Sequence, residues 1–341
     1  MKKTIYLLCL TAAFILVVLP SCNYEKPAAP NSSGKTSEML VITNNKAQWN
    51  SQLGDTIKDF FGQLCVGLPQ PEPLFSMVNI PEDAFIEMYH KHRNIFIVDI
   101  NNKFKETQVE TKKDLWAIPQ RVIKITSPDI NSFFKKFGDD KNAFLELFNR
   151  VERRRINKAY RSIAVSKIEN KLIKTFGISL TVPGGFNIAK SHPDFIWLRR
   201  ETKKESQAIM VYSFDYKDKS SFEMNKIIAK RNLFTKKFIP GPTNNSYMCV
   251  SEDVILPVAN EINFLENYAI ETRGLWRVEG DFMGGPFLSY TFVNENTNKI
   301  ITIDAYVYAP RTIKRDLVRQ LEAICYTMKF AEKNNSTKKI K

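Results

Sequence analysis

The sequence predicts an α+β protein of two domains: an N-terminal α/β domain and a C-terminal antiparallel-sheet domain arranged as an α-β-α sandwich. Strand-like and helix-like stretches alternate up to residue 176, which is typical of α/β folds. From residue 177 onward, strand-like pairs joined by turns dominate, with amphipathic helices between and after them. The stretch between the polar ends, residues 39–331, has a length at which chains commonly divide into two domains.

The first predicted domain covers residues 39–176. Runs of β-branched and aromatic residues favour strands, and they predict strands at Met39–Thr43, Leu74–Ile80, Asn94–Ile100, Glu106–Thr111 and Val122–Thr126. Apolar residues at helical spacing predict a helix over Asp55–Phe61 and another that starts at Pro81, since proline suits the first helical turn. A long helical region, roughly Asp140–Phe176, either continuous or broken once, ends before Gly177, which is a typical helix stop. The domain boundary is expected within this region or just after it.

The second predicted domain covers residues 177–331. Its strand-like runs are Gly177–Val182, Phe195–Arg200, Ala208–Phe214, Arg273–Val278, Phe287–Val293 and Ile300–Tyr308. Helices are predicted at Ser221–Phe234 and Arg311–Phe330, whose apolar residues lie on one face. This order of strands, hairpins, middle helix and final helix resembles the layout of the PsbP/Mog1-type α-β-α sandwich. The resemblance implies a fold and no activity, because one fold hosts many functions.

Residues 1–21 have the pattern of an export signal. The start is basic at Lys2-Lys3 and the apolar run covers Ile5–Leu19. The stretch Leu19-Pro20-Ser21-Cys22 then closes the segment with a small residue and a cysteine. This pattern resembles a bacterial lipoprotein signal, which implies cleavage before Cys22 and lipidation of that cysteine. The alternatives are a plain cleaved signal and an uncleaved membrane helix, although the apolar run is shorter than the roughly 20 residues that span a bilayer.

Location restricts the possible partners. Residues 22–38 predict a flexible tether that joins the lipid on Cys22 to the body, and residues 332–341 form a basic tail. Asn23 follows the cysteine in place of a retention aspartate, which indicates the outer membrane and leaves open which leaflet carries the anchor. The formal net charge of +14 would favour nucleic acid inside a cell. An exported protein meets lipid head groups and acidic glycans instead, so we expect an envelope protein or glycan as partner and no nucleic acid.

One segment, residues 273–287, concentrates functional residue types. The candidate contact residues for a ligand or partner are Arg273, Trp276, Arg277, Glu279, Asp281, Gly284, Gly285 and Pro286. The two glycines allow either a positive φ or close backbone approach, and the proline fixes the exit of the chain. On a strand, Glu279 and Asp281 would share a face and could act as an acid/base pair. The alternative interpretation is a charged, solvated face beside a sharp bend.

The same segment is similar to an uncharacterised Bacteroidetes lipoprotein family, domain of unknown function 4837. The similarity extends to Glu38–Ile42, Leu68–Asp83 and His92–Ile100, and thus over nearly the whole mature chain. It implies a location in the cell envelope, and it supplies no activity, ligand or catalytic residue.

The remaining candidate residues favour structural roles. Cys65, Cys249 and Cys325 are expected to be buried thiols, with a Cys65–Cys249 or Cys249–Cys325 bridge as the alternative that an oxidising compartment allows. The His90-x-His92 pair falls at a predicted helix end, where residues two apart face different directions, so we expect no metal site. The sequence has no P-loop, dinucleotide fingerprint or zinc-protease motif, so we expect no cofactor.

The last candidate surface is a helical region rich in basic residues. Its cations are Arg150, Arg153, Arg154, Arg155, Lys158, Arg161, Lys167, Lys171 and Lys174. They form either a surface for anionic lipid or glycan or a solvated helix face. Taken together, the sequence predicts a non-catalytic binding or interaction module. The alternatives are a glycan- or peptide-acting hydrolase that uses Glu279 and Asp281, and a structural envelope protein with large exposed apolar patches.

Overall fold

The computed structural model describes residues 29–331. The export signal, Cys22 and the basic tail of residues 332–341 therefore lie outside the described residues. Within this range no helix combines the length and the apolar content needed to cross a membrane. The elements of the first region are β1 (Glu38–Thr43), α1 (Lys46–Trp49), α2 (Gln52–Phe61), β2 (Ser76–Pro81), α3 (Glu87–His90), β3 (Asn94–Ile100), β4 (Gln108–Lys113), β5 (Arg121–Ser127) and α4 (Ile130–Arg161).

The first region is built on a five-stranded sheet in the order β2-β1-β3-β5-β4. All neighbours are parallel except β4, which runs antiparallel to β5. Parallel neighbours require crossover segments, and α2 and α4 pack their phenylalanines against one face of the sheet. Phe61 contacts Phe96, Phe137 and Phe148 edge to face, and all four side chains are buried. Asp129 caps α4 by accepting a hydrogen bond from the Ser132 N–H at 2.9 Å.

The second region is built on a larger, antiparallel sheet. Its elements are α5 (Ser166–Phe176), β6 (Ile178–Ser179), β7 (Asn187–His192), β8 (Phe195–Glu201), β9 (Ser206–Asp215), α6 (Met224–Phe238), β10 (Tyr247–Ser251), β11 (Val258–Phe264), β12 (Asn267–Glu279), β13 (Gly284–Asn294), β14 (Lys299–Tyr308), α7 (Arg315–Cys325) and β15 (Lys329–Phe330). The sheet order is β10-β12-β13-β14-β9-β8-β7, and β11 pairs with the first half of β12. The short strands β6 and β15 pair with each other.

Helices cover both faces of the larger sheet. Because side chains alternate along a strand, Ile301 and Ile303 of β14 lie in the core shared with α5 and α7. Tyr306 of the same strand lies in the opposite core with α6 residues Ile228 and Phe234. The second region is therefore an α-β-α sandwich, and the α+β fold class predicted from the sequence is confirmed.

The predicted long helix Asp140–Phe176 is two helices. Helix α4 ends at Arg161, and α5 places Ile168, Leu172 and Phe176 in the core of the second region. The packing thus divides the chain between α4 and α5, inside the helical region within or just after which the boundary was expected. Residues 166–176 pack with the second region, although the predicted first domain of residues 39–176 included them. Periodicity does not reveal which sheet a helix covers.

Part of the predicted tether is docked on the first region. The Ser33 N–H donates to the Lys91 carbonyl at 2.8 Å, and the Ser33 carbonyl accepts from the Arg93 N–H at 3.1 Å. Ser37 is fully buried and its N–H donates to Glu152 at 3.0 Å. Residues 33–37 therefore belong to the folded body, in contrast to the flexible tether predicted for residues 22–38.

A network of charges joins the two regions. Arg153 of α4 donates to Glu322 of α7 at 3.2 Å and to Glu146 at 2.6 Å. Arg319 of α7 donates to the Leu74 carbonyl at 2.9 Å. Burial opposes ionisation of Glu322, but Arg273, Arg153 and Arg319 outweigh it and lower the pKa of this carboxyl.

Candidate functional site

The segment of residues 273–287 forms a β-hairpin rather than a loop. Strand β12 pairs with β13 so that Trp276 lies opposite Gly285 and Arg277 opposite Gly284. The turn between them contains Gly280 with φ of 84°, a left-handed conformation that favours glycine. The segment is thus part of the second sheet.

Trp276 is buried and helps to form the floor of a cavity. Its side chain is 2% exposed, and Nε1 donates to the Val307 carbonyl at 3.2 Å. The indole ring meets Tyr306 in a T-shaped contact with centroids 5.2 Å apart. Trp276 therefore contributes through cavity shape, whereas the sequence prediction treated it as a surface contact.

Glu279 and Asp281 do not have the geometry that the hydrolase alternative requires. Strand β12 ends at Glu279, so the alternation that would place both carboxylates on one face stops before Asp281. Glu279 pairs with Arg277 at 2.7 Å, and Asp281 accepts from the Met283 N–H at 3.2 Å within the turn. Both carboxylates thus have local partners, and neither lines the cavity that Trp276 helps to form.

Gly284 and Gly285 allow neighbouring backbone to approach closely, which is one of the two predicted roles, and neither has a positive φ. A Cβ on Gly285 would overlap the Val307 carbonyl oxygen, and one on Gly284 would meet the Trp276 carbonyl oxygen at 2.8 Å. Pro286 is buried in β13, opposite Leu275. Gly285 and Pro286 are therefore buried in the sheet, with Gly285 opposite Trp276, while Gly284 is partly exposed.

Arg273 lies apart from the rest of the segment, at the junction of the two regions. It pairs with Glu271 at 2.9 Å and with Glu322 at 3.5 Å. Burial alone would lower the pKa of Arg273, but the carboxylates of Glu271 and Glu322 raise it well above its usual value. The structure therefore assigns Arg273 to the interface network and separates it from Arg277, which is paired with Glu279 near the turn.

A cavity of about 600 Å³ opens on the face of the second sheet that α6 covers in part. We call it the aromatic cavity. Its lining side chains come from β8, β10, β12, β14 and the segments beside them: Trp197, Met248, Trp276, Val278, Met283, Tyr306 and Tyr308. Its rim is formed by the β8–β9 hairpin with Lys203 and Lys204 and by the Pro240-Gly241-Pro242 segment after α6. The volume falls in the range of pockets that bind small ligands or peptide side chains.

The polar atoms of the cavity floor are occupied by one another. Trp197 Nε1 donates to the Tyr306 hydroxyl at 3.0 Å, and burial raises the pKa of Tyr306. The Arg199 guanidinium lies 4.7 Å above the Trp197 ring and pairs with Glu201. The floor is therefore mainly aromatic, with these polar atoms already paired, while Glu201, Lys203, Lys204 and Glu205 line the cavity around it.

The sequence offered only a weak signal for this cavity. Trp197 and Tyr306 are far apart in the chain and meet because β8, β9 and β14 are adjacent. Trp197 and Arg199 alternate on β8 and so share a face, which places the guanidinium over the indole. The alternating Tyr306 and Tyr308 are the local pattern that could have indicated an aromatic face.

The remaining candidates from the sequence are cysteines and histidines. Cys65, Cys249 and Cys325 are free thiols; Cys325 is buried as expected, whereas Cys65 and Cys249 are half-buried. His90 stacks on Trp116 with centroids 4.4 Å apart, while His92 Nε2 lies 3.3 Å from Glu38. Among residues 29–331 no group of three His, Cys, Asp or Glu side chains is arranged to hold a metal ion.

Comparisons with known proteins divide the chain at the same place as the packing does. Residues 165–327 match the family model "Domain of unknown function (DUF4837)", and residues 32–161 match "Domain of unknown function (DUF8532)". The similarity to domain of unknown function 4837 is thus confirmed for the second region. Its predicted extension to Glu38–Ile42, Leu68–Asp83 and His92–Ile100 is not, since the first region matches a different model. No curated protein matches the chain.

Two solved structures resemble part of the chain. A point mutant of the protein Mog1 is 11% identical, with a TM-score of 0.30, and the match covers 46% of this chain and 92% of that chain. The Ran-binding protein Mog1p of Saccharomyces cerevisiae is also 11% identical, with a TM-score of 0.29, and the match covers 46% of this chain and 91% of that chain.

Proposed function

We propose that this protein is a non-catalytic binding module, anchored by lipid on Cys22 to a bacterial outer membrane, that holds an apolar segment of an envelope protein in the aromatic cavity. The aromatic cavity is the observation that carries the proposal. Its volume is about 600 Å³, and aromatic rings supply much of the binding energy of protein interfaces.

The chemistry of the lining favours a peptide segment over a sugar ring. Sugars stack on exposed aromatic faces, whereas Trp276 is 2% and Trp197 is 9% exposed. Met248 and Met283 line the same space, and methionine adapts its shape to varied apolar partners. The apolar side chains of a docked segment would therefore enter the cavity, while Lys203 on the rim would face the solvent-exposed backbone.

The engagement of the two carboxylates supports a role without catalysis. Glu279 is paired with Arg277 and Asp281 with the turn backbone. A general acid and base must reach a bound substrate, and these groups lie outside the lining of the cavity. A binding role needs only the shape and the apolar surface that the floor provides.

Site-specific photocrosslinking in the native envelope tests the cavity. Benzoylphenylalanine at Tyr308, which lines the cavity, should crosslink one envelope protein, whereas the same group at Leu233, exposed on α6, should not. Met283→Lys places a charge in the cavity and should abolish the crosslink. Phe282→Lys adds the same charge one residue away, at a fully exposed side chain, and should preserve it.

Two results would overturn this role. Identical crosslinked products from Tyr308 and Leu233 would mean that the cavity is not the contact surface. An undiminished crosslink in the Met283→Lys variant would mean the same.

A separate measurement tests the lipid anchor. A palmitate analogue should label the wild-type chain and not a Cys22→Ser variant, and a mature product that begins at a residue other than Cys22 would contradict the anchor.

A further inference from the structure

A second concave surface, which we call the basic cleft, lies between α4 of the first region and the β11–β12 hairpin of the second region. It holds about 1190 Å³. One wall consists of the α4 residues Arg150, Arg154, Lys158 and Arg161, and the other consists of hairpin residues that include Ile262 and Leu265. The cleft therefore exists only because the two regions pack together.

The cations on the α4 wall form a row. Residues three or four positions apart lie on the same helix face, so Arg150, Arg154, Lys158 and Arg161 follow one another along the cleft. At 1.5 Å of rise per residue, this row is about 16 Å long. A single phosphate or carboxylate would meet only part of it, so the row suits an extended ligand with several negative charges.

Several of these cations are available to a ligand. Arg150 is 68% exposed, and its Nε lies 3.8 Å from Glu146, which already pairs with Arg153 at 2.6 Å. Arg154 pairs with Asp114. Lys158 and Arg161 have no ion-pair partner anywhere in residues 29–331. Positive charge on the wall thus exceeds the negative charge that the protein supplies.

The floor of the cleft is fixed and adds one unfilled acceptor. The Arg153 guanidinium stacks 4.0 Å from the Tyr326 ring and pairs with Glu322 at 3.2 Å. Asn157 also lines the cleft, and its buried Oδ1 accepts no hydrogen bond from the described residues. Since a buried acceptor without a donor is unfavourable, a ligand hydroxyl that reached this oxygen after a small rotation of the Asn157 amide would be favoured.

We infer that the basic cleft binds an acidic oligosaccharide. Its carboxylates would pair with Lys158 and Arg161, a hydroxyl would donate to Asn157, and its C–H surface would pack on Ile262 and Leu265. A flat membrane surface cannot reach the floor between two walls. The inference concerns a site separate from the aromatic cavity and does not depend on it.

The test measures binding of a fluorescein-labelled oligogalacturonate to the full chain by anisotropy. The wild type should bind it, and the double variant Lys158→Glu/Arg161→Glu should lose affinity by about tenfold or more, because two charge-assisted contacts become repulsive. The matched control Lys167→Glu/Lys174→Glu carries the same change of net charge on α5, outside the cleft. It should stay within about twofold of the wild type.

Asn157→Leu separates sugar recognition from simple charge attraction. Removal of the acceptor should lower affinity by about three- to tenfold, and the salt dependence should not change because no charge is altered. The inference is overturned if the double variant binds oligogalacturonate as tightly as its control. It is also overturned if labelled polyglutamate or phosphatidylglycerol vesicles bind through Lys158 and Arg161 and oligogalacturonate does not.

Discussion

The Glu72 carboxylate caps helix α7 at Arg315. Glu72 Oε2 accepts from the Arg315 backbone N–H at 2.8 Å, and Oε1 accepts from the Lys314 N–H at 2.7 Å. The first N–H groups of a helix have no partner inside it, and negative charge is favourable at this end. Glu72 belongs to the first region and α7 to the second, so the cap also joins the two regions.

We predict that Glu72→Ala destabilises the protein by about 1–3 kcal/mol, because it leaves two buried donors without acceptors. Urea unfolding followed by circular dichroism measures the change. Glu72→Gln keeps one acceptor oxygen and should therefore destabilise the protein clearly less than Glu72→Ala. If the alanine variant unfolds at the wild-type urea concentration, the cap contributes nothing to the junction.

Glu322 gives the interface a defined pH dependence. Its pKa lies below the usual value of 4.5 because Arg273, Arg153 and Arg319 outweigh the effect of burial. A carboxyl whose pKa is lowered on folding contributes stability that is complete above pH 4.5 and is lost as the pH falls through the lower, folded pKa. The contribution should therefore be complete at neutral pH and decline below pH 4.5.

We predict that Glu322→Gln destabilises the protein at pH 7 by about 1.5–3 kcal/mol, since it removes the carboxylate that Arg153 and Arg273 share and leaves each with one carboxylate partner, Glu146 or Glu271. The difference in free energy of unfolding between this variant and the wild type should become smaller as the pH is lowered from 4.5 towards 3. Thermal unfolding across this range measures it. Glu261→Gln, at an exposed position on β11, is the control, and its stability should follow that of the wild type at every pH. The prediction is contradicted if the stability difference between Glu322→Gln and the wild type stays constant over this pH range.

Strong local patterns predicted the central elements and missed the edges. Strand β3 was predicted with its observed bounds because aliphatic and aromatic residues fill it. Strand β7, Asn187–His192, was not predicted, since it lies at the sheet edge and exposes most of its polar side chains. Strand β11 was missed for the same reason. Strand propensity mainly reflects the packing of side chains against their neighbours. The residues of an exposed edge strand therefore show only a weak strand preference.

The candidate site depended on long-range register, which composition does not contain. Trp276 was predicted to be a contact residue, but its burial follows from Gly285 across the β12–β13 pair and from the Val307 carbonyl on β14. Both neighbours are distant from Trp276 in sequence, so the hydrophobic periodicity around Trp276 does not reveal these contacts. The aromatic cavity likewise required the order of the strands in the sheet, which single-residue patterns left undetermined.

We predict opposite effects for two glycine-to-alanine changes. Gly285→Ala drives a Cβ into the Val307 carbonyl and should destabilise the protein by about 1–3 kcal/mol or more, because rigid backbone must move. Gly138 lies inside α4, where a Cβ meets nothing within 4 Å. Gly138→Ala should therefore stabilise the protein by about 0.5–1 kcal/mol. Chemical denaturation measures both, and equal effects would mean that packing around Gly285 is not tight.

The buried pair of Arg231 and Asp304 holds α6 against the second sheet. Arg231 Nε donates to Asp304 at 2.8 Å, with side-chain exposures of 1% and 0%, and the guanidinium lies 4.0 Å from the Phe287 ring. Arg231 Nη1 is also buried and has no partner among the described residues. The pair therefore carries an unmet desolvation cost in addition to its attraction.

We predict that Asp304→Asn, which leaves the Arg231 charge without a counter-ion, destabilises the protein by about 3–5 kcal/mol, whereas the apolar double variant Arg231→Met/Asp304→Leu is close to neutral or stabilising. A double-mutant cycle by guanidinium unfolding, completed with Arg231→Met and Asp304→Leu, measures the coupling between the two side chains. If the double variant is as unstable as Asp304→Asn, the ion pair itself stabilises the contact between α6 and the sheet, and apolar packing cannot replace it.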